Sequence, residues 1–265
     1  MKDQILTKLP HAYPWKEQLQ VFPELGSTND LLKAMARQGA PEGTVRIADR
    51  QTGGHGRLGR SFLSPPDVGV YLSILLRPQC PPAQLMHLTC ATAVAMCDAV
   101  EQAVSFRPGI KWTNDLVFQK RKLGGILTEL GLNPKGMVDY AKVGIGINCC
   151  QRQEDFAPEI RDMAGSLSMV SGAAIDRAAV AAAMMEALWH MSRTLLTDKP
   201  AMLERYRRSC ITLGQDISLL RGEDVRYGHA VDVDENGALV VRFSDGHLEA
   251  VNSGEVSVRG MYGYI

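Results

Sequence analysis

The chain has 265 residues and a mass of 29.0 kDa, with 45% hydrophobic and 22% charged residues; this is an ordinary globular composition, and it excludes collagen-like, coiled-coil and wholly disordered chains. At roughly 100–200 residues per domain the length predicts one large domain, or one large and one small. Lys plus Arg (29) cancels Asp plus Glu (29), so no global field holds a polyanion and DNA binding is disfavoured, although a local basic patch is compatible with these totals.

Residues 1 to about 20 show no clear periodicity and carry Pro10 and Pro14, which predicts an extension rather than a winged helix. They contain no apolar core followed by a small-residue cleavage site. The richest apolar stretch, Ala178 to Trp189, is short and interrupted by Glu186, well below the roughly 20 residues of a membrane span. A soluble, cytoplasmic protein without membrane contact is expected. Ser27 and Thr28 precede Leu31, Leu32, Met35 and Ala36, with Gly39 behind, which predicts a helix with a hydroxyl N-cap and a glycine stop. Thr44 to Ala48 reads as a strand, Gln51 to Ser64 as a glycine-rich basic loop, and Val68 to Leu76 as a largely buried strand. Pro82 and the apolar positions from Leu85 to Ala99 describe a long helix ending near Val104. Strands follow at Ile110 to Trp112, Leu116 to Gln119, Gly125 to Leu130 and Tyr140 to Ile147, then helices at about Arg177 to Leu196 and Ala201 to Ser209. Near residue 211 the period shortens. Tyr227 to Asp232, Leu239 to Phe243, Leu248 to Val251 and Val256 to Arg259, punctuated by Asn236-Gly237 and Asp245-Gly246, predict a small β-barrel. The expected organisation is an extension over 1–20, a main α+β domain over 21–210 and a barrel over 211–265. The six cysteines form no C-x-x-C pair and stand at no zinc spacing with histidine, so they read as reduced, buried small hydrophobes.

Gly54-His55-Gly56-Arg57-Leu58-Gly59 matches G-x-G-x-x-G. A Rossmann loop must open a helix, whereas here Arg60 leads into Pro65, Pro66 and strand-like residues, and no acidic residue stands about 20 positions on. Two readings remain: an anion cradle in which Arg57 and Arg60 supply planar charged forks, or a solvated hairpin. Lys111-Trp112-Thr113-Asn114-Asp115 and Lys122-Leu123-Gly124-Gly125 place two lysines, an amide and a carboxylate around one hairpin, and Gly144-Ile145-Gly146-Ile147-Asn148 sets small residues on one strand face. Each is compatible with close approach of a ligand or with tight sheet packing.

Taken together, from about Val21 to Arg259, these blocks resemble the biotin protein ligase family. Ser27-Thr28-Asn29-Asp30 looks like its biotin-capping helix start, Gly54 to Arg60 like G-R-G-R-x-G-R, Lys111 to Asp115 like K-W-P-N-D, Lys122 to Gly125 like K-L-x-G, and Gly144 to Asn148 like G-x-G-I-N. His55 and Thr113 depart from the family's Arg and Pro; the first removes a fixed cation and puts tight closure of the loop in doubt. The resemblance implies a mixed β-sheet covered by helices, like class II aminoacyl-tRNA synthetases, with an SH3-like C-terminal barrel. It implies ATP-dependent formation of biotinyl-AMP with Mg2+ accompanying ATP, then transfer to a lysine of a biotin carboxyl carrier protein. It further implies Arg57 and Lys122 as catalytic residues, and Ser27, Thr28, Asn29, Gln51, His55, Gly56, Arg57 and Lys122 as the biotin site. Arg60, Phe62, Lys111, Asn114, Asp115 and Asn148 would hold ATP, with Phe62 or Trp112 as an apolar wall; the magnesium ligand stays unassigned. The winged helix of the family's repressor branch is not expected here, so no DNA partner is implied. A homodimer through sheet edges and a monomer both remain open. A lipoate ligase or octanoyltransferase, and a non-catalytic biotin sensor, are the competing readings. Ordering about ten loop residues costs on the order of 10–20 kcal/mol, against roughly 6–12 kcal/mol from about four charge-assisted hydrogen bonds, which predicts a loop that closes only over ligand.

Overall fold

The computed structural model describes residues 1–252 and 257–260. Val256, where the last strand is expected to begin, lies outside the described residues. Seven strands, β1 (Leu19–Leu25), β2 (Val45–Gln51), β3 (Gly69–Leu76), β4 (Gly109–Lys111), β5 (Asp115–Phe118), β6 (Arg121–Leu132) and β7 (Val138–Asn148), form one mixed sheet in the order β1-β2-β3-β7-β6-β5-β4. Only the β1–β2 pair is parallel among them. β1 has no counterpart among the expected strands: Pro23 interrupts it and its burial does not alternate, features an edge strand tolerates. The first residues also carry more structure than an extension. Lys2–Lys8 is a helix, α1, whose Ile5 is fully buried with the following Leu9 and Tyr13 in the main core.

Side-chain alternation gives the sheet two different faces. Leu72, Ile74, Ile126, Val143, Ile145 and Ile147 point into the main core, where α3 (Leu88–Val104) and α5 (Arg177–Thr194) cover them. Pro82–Val104 has by length and hydropathy the character of a membrane-crossing segment, contrary to the expectation that no stretch does. Its most apolar window is 72% buried in the core, because α3 packs against the sheet, α5 and α6 (Lys199–Ser209) at once, which requires an all-round apolar surface. The other face carries Ser73, Lys142, Gly144, Gly146 and Asn148, and α2 (Thr28–Arg37) crosses part of it.

Residues beyond 211 form a second, antiparallel sheet from β8 (Asp216–Arg221), β9 (Asp224–Val233), β10 (Leu239–Arg242), β11 (Leu248–Val251) and β12 (Ser257–Gly260), in the order β11-β10-β9-β8-β12. It is tied to the main domain at the β4–β5 turn. The Trp112 indole donates to Gly237 O at 3.0 Å, and Trp112 N donates to Thr212 Oγ1 at 2.9 Å. All six cysteines are free thiols, five of them buried and Cys150 partly exposed.

Candidate functional site

At one pole the start of α2 meets the sheet. Ser27 caps the helix, its Oγ accepting from Asp30 N at 3.3 Å, which turns Thr28 and Asn29 inward. Thr28 donates to Gln51 Oε1 through both its N–H (2.9 Å) and its hydroxyl (3.0 Å), and Gln51 Nε2 donates to Ser64 Oγ at 3.0 Å. Beneath them Ser73 Oγ lies 2.8 Å from Thr28 Oγ1 and 2.7 Å from Asn29 Oδ1. A Cβ at Gly144 would stand 2.3 Å from Asn29 Oδ1, so the glycine is what lets the helix start approach the strand. Lys142, 1% exposed, donates to Asn29 O at 3.3 Å and pairs with Glu129 at 2.6 Å. Donors and acceptors therefore alternate within a few ångströms, a surface suited to a small polar head group.

The second pole lies at the β5–β6 hairpin. Arg57 reaches across from the basic loop and donates to Asn114 Oδ1 at 2.9 Å, while Asn114 Nδ2 donates to Ile126 O at 3.0 Å. Lys122 Nζ sits 2.7 Å from Asp115 Oδ1. A β-bulge places Lys122 there. Leu116 pairs Gly124 and Val117 pairs Lys122, so Leu123 is an extra residue, and Lys122 turns to the same face as Gly125, whose added Cβ would lie 3.5 Å from its Nζ. Burial draws the Arg57 guanidinium below its usual range, with Asp115 pulling it back and Arg60 adding to the fall. Its Nη2 is buried with no hydrogen-bond partner among the described residues, which leaves a charged donor that an anionic oxygen would satisfy. Lys111 is 7% exposed and faces Asp115 across β4 and β5.

β7 connects the poles. Gly144, Gly146 and Asn148 share its open face, spanning about 13 Å at roughly 3.3 Å per residue. Phe62 lies over Gly146, where a Cβ would meet the ring at 2.4 Å. Of the two aromatic residues considered for an apolar wall, Phe62 borders this trough, whereas Trp112 is 4% exposed and spends its indole N–H on Gly237. His55 lies beside α2, with Nε2 3.8 Å from Asp30 Oδ1 and Nδ1 3.2 Å from Gly53 O. Gly56 N donates to Arg60 O across the loop, which leaves Arg60 exposed at its rim. At the far end Asn148 Nδ2 donates to Gly165 O at 3.0 Å. Ser64, Ser73, Lys142 and Gln151 belong to the same framework and were not singled out from sequence; Ser73 and Lys142 stand out only as polar residues in otherwise apolar strands.

Among the described residues no group of three His, Cys, Asp or Glu side chains could hold a metal ion. A cavity of about 600 Å³ lined by Val21, Phe22, Asp49, Cys150 and Arg177 shares none of these site residues.

The main domain is thus a mixed sheet with one helix-covered face, a polar trough on the other and an arginine-bearing loop over it. Residues 21–148 match the biotin/lipoate A/B protein ligase family and residues 212–259 the biotin protein ligase C terminal domain. The biotin--[acetyl-CoA-carboxylase] ligase of Mycobacterium tuberculosis is 32% identical over 249 residues, covering 91% of this chain and 89% of that protein. The bifunctional ligase/repressor BirA of Bacillus subtilis is 32% identical over 235 residues, covering 88% and 72%. The solved biotin protein ligase from Aquifex aeolicus in complex with biotin and ATP superposes with a TM-score of 0.77 at 30% identity, covering 91% of this chain and 98% of that one. The chain belongs to the biotin protein ligase family.

Proposed function

We propose that the chain activates biotin with ATP and transfers it to a lysine of a biotin carboxyl carrier domain. In the first step a biotin carboxylate oxygen attacks the α-phosphorus of ATP, pyrophosphate leaves, and biotinyl-AMP forms. In the second the acceptor amine attacks the acyl carbon, AMP leaves with the bonding electrons, and the amine loses a proton. Both steps crowd negative charge, so the protein's work is positioning and charge neutralisation. The observation that carries this reading is the convergence of Arg57 and Lys122, from distant segments, on one end of a trough whose other end is a polar head-group cradle.

On this reading the cradle of Ser27, Thr28, Asn29 and Gln51 takes the ureido ring, and His55 and Gly56 flank the bound vitamin. Arg57 and Lys122 hold the carboxylate and the bridging phosphate oxygen. Lys111, Asn114, Asp115 and Asn148 serve the nucleotide, with Arg60 and Phe62 closing over it. Mg2+ would enter with ATP, held chiefly by phosphate oxygens, with Asp115 as the protein oxygen beside them; one carboxylate plus phosphates is a usual magnesium environment. Incubation with labelled biotin, MgATP and a carrier domain should label one lysine of the carrier. Binding without transfer would support a sensor instead, and activity only with lipoate or octanoyl donors would support the lipoate branch of the family.

The loop makes few main-chain hydrogen bonds of its own, such as Gly56 N to Arg60 O and Phe62 N to Gly54 O. Amide exchange over residues 53–62 should therefore slow when biotin and ATP are added together. Equal protection with and without them would rule out ligand-driven closure. Arg57→Gly removes the guanidinium that spans from loop to hairpin, and should speed escape of biotinyl-AMP by about tenfold, the equivalent of one hydrogen bond of about 1.4 kcal/mol. Stopped-flow release at the wild-type rate would contradict that role.

A further inference from the structure

Asn148, 7% exposed, is fixed at both ends of its side-chain amide. Gly165 O can only accept, so Asn148 Nδ2 faces it, at 3.0 Å. Asn148 Oδ1 then faces Gln151, which must donate from Nε2, at 3.2 Å. This leaves Gln151 Oε1 buried and without a partner among the described residues, although Gln151 is only 2% exposed. An orphaned buried carbonyl is unfavourable, and turning the Gln151 amide over would set two oxygens against each other at Asn148. The unpartnered oxygen is thus a consequence of holding Asn148 in one orientation. The backbone is pinned as well: Ser166 Oγ donates to Gln151 O at 2.6 Å, and Gly165 N donates to Lys122 O at 2.9 Å.

With two of its bonds committed, Asn148 retains one N–H and one oxygen lone pair, in a fixed order. On its N1 edge adenine presents an amino donor beside a ring-nitrogen acceptor, the same donor–acceptor pair that an Asn amide reads in bidentate fashion on the N7 edge. A 6-oxopurine presents acceptor and N1–H donor in the reverse order, which a flipped amide would fit equally well. We propose that Gln151 is a positioning residue for base selection: it locks the Asn148 amide in the orientation that accepts a 6-aminopurine and refuses a 6-oxopurine. This rests on the assignment of Asn148 to the nucleotide end of the trough.

Biotin-dependent pyrophosphate exchange with ATP and with ITP, which differ at the 6-position and N1, tests it. Wild type should favour ATP by roughly 5–150-fold in kcat/KM. Gln151→Glu, which can only accept while ionised, should reduce that preference at least about fivefold. Gln151→Met, which removes the donor with little change in volume, should raise the ATP KM about 3–10-fold while leaving the biotin KM and kcat near wild type. Wild-type selectivity and wild-type ATP KM in both variants, whatever their Tm, would overturn the inference. Absence of any biotin-dependent exchange in wild type would instead overturn the ligase reading. Asn148→Ala with unaltered nucleotide parameters would remove Asn148 from the site, and the inference with it.

Discussion

Lys122→Ala should lower biotin-dependent pyrophosphate exchange by roughly 10–150-fold, the kinetic equivalent of one charge-assisted hydrogen bond of about 1.5–3 kcal/mol. The ammonium is about one-third exposed and already paired with Asp115 at 2.7 Å, so its removal does more than delete an attraction. Asp115, 17% exposed in its side chain, would then face incoming phosphates without this ammonium, which pushes the loss toward the upper end. The same logic gives a second readout. Combining Lys122→Ala with Asp115→Asn should cost less than the two single losses added together, a coupling that neighbouring groups in one site produce. An exchange rate unchanged in the single variant, at saturating biotin and ATP, would take Lys122 out of the chemistry.

The second large effect is expected at Gly144. A valine there places its Cβ about where Asn29 now is, 2.3 Å from Oδ1 and 2.4 Å from Nδ2. Asn29 is 5% exposed and held by Ser73 Oγ, so it does not simply rotate away, and the start of α2 must shift. Overpacking of this kind costs about 1–3 kcal/mol, and the displaced Thr28 and Asn29 would leave Gln51 and Ser73 without their partners. We expect the biotin KM of Gly144→Val to rise at least about tenfold. The ATP KM should stay within about twofold, because Asn148 lies a full trough length, about 13 Å, further along β7. An unaltered biotin KM would place the vitamin elsewhere.

Much of the architecture was legible because the hydrophobic pattern carried it. Gly69–Leu76 is buried at every position, and its apolar run, interrupted by Ser73, announced a covered strand. Ser27 before an amphipathic stretch announced the cap that the structure contains. The motifs also named residues that the structure brings together: Thr28 with Gln51, and Arg57 with Asn114 and Lys122 with Asp115 at one hairpin. What stayed hidden depends on tertiary contact. The α1 helix is short and gains its stability from Ile5 packing in the core, and β1 is stabilised by parallel pairing with β2, which no local signal encodes. Ser73, Lys142 and Gln151 become meaningful only once α2 and Asn148 lie beside them. The tie of Trp112 to Gly237 was hidden for a similar reason: the two are 125 residues apart.

The unpaired Leu123 has an evolutionary corollary. Because one surplus residue between β5 and β6 decides which way Lys122 points, a register slip that absorbed it by pairing Leu123 with Val117 would turn the charged end of the chain's key lysine into the oily layer beneath α3. The length of this hairpin is therefore constrained as tightly as any side chain in it. A library of point substitutions would miss that constraint, whereas a scan of single-codon deletions and insertions should find this hairpin among the least forgiving segments of the enzyme.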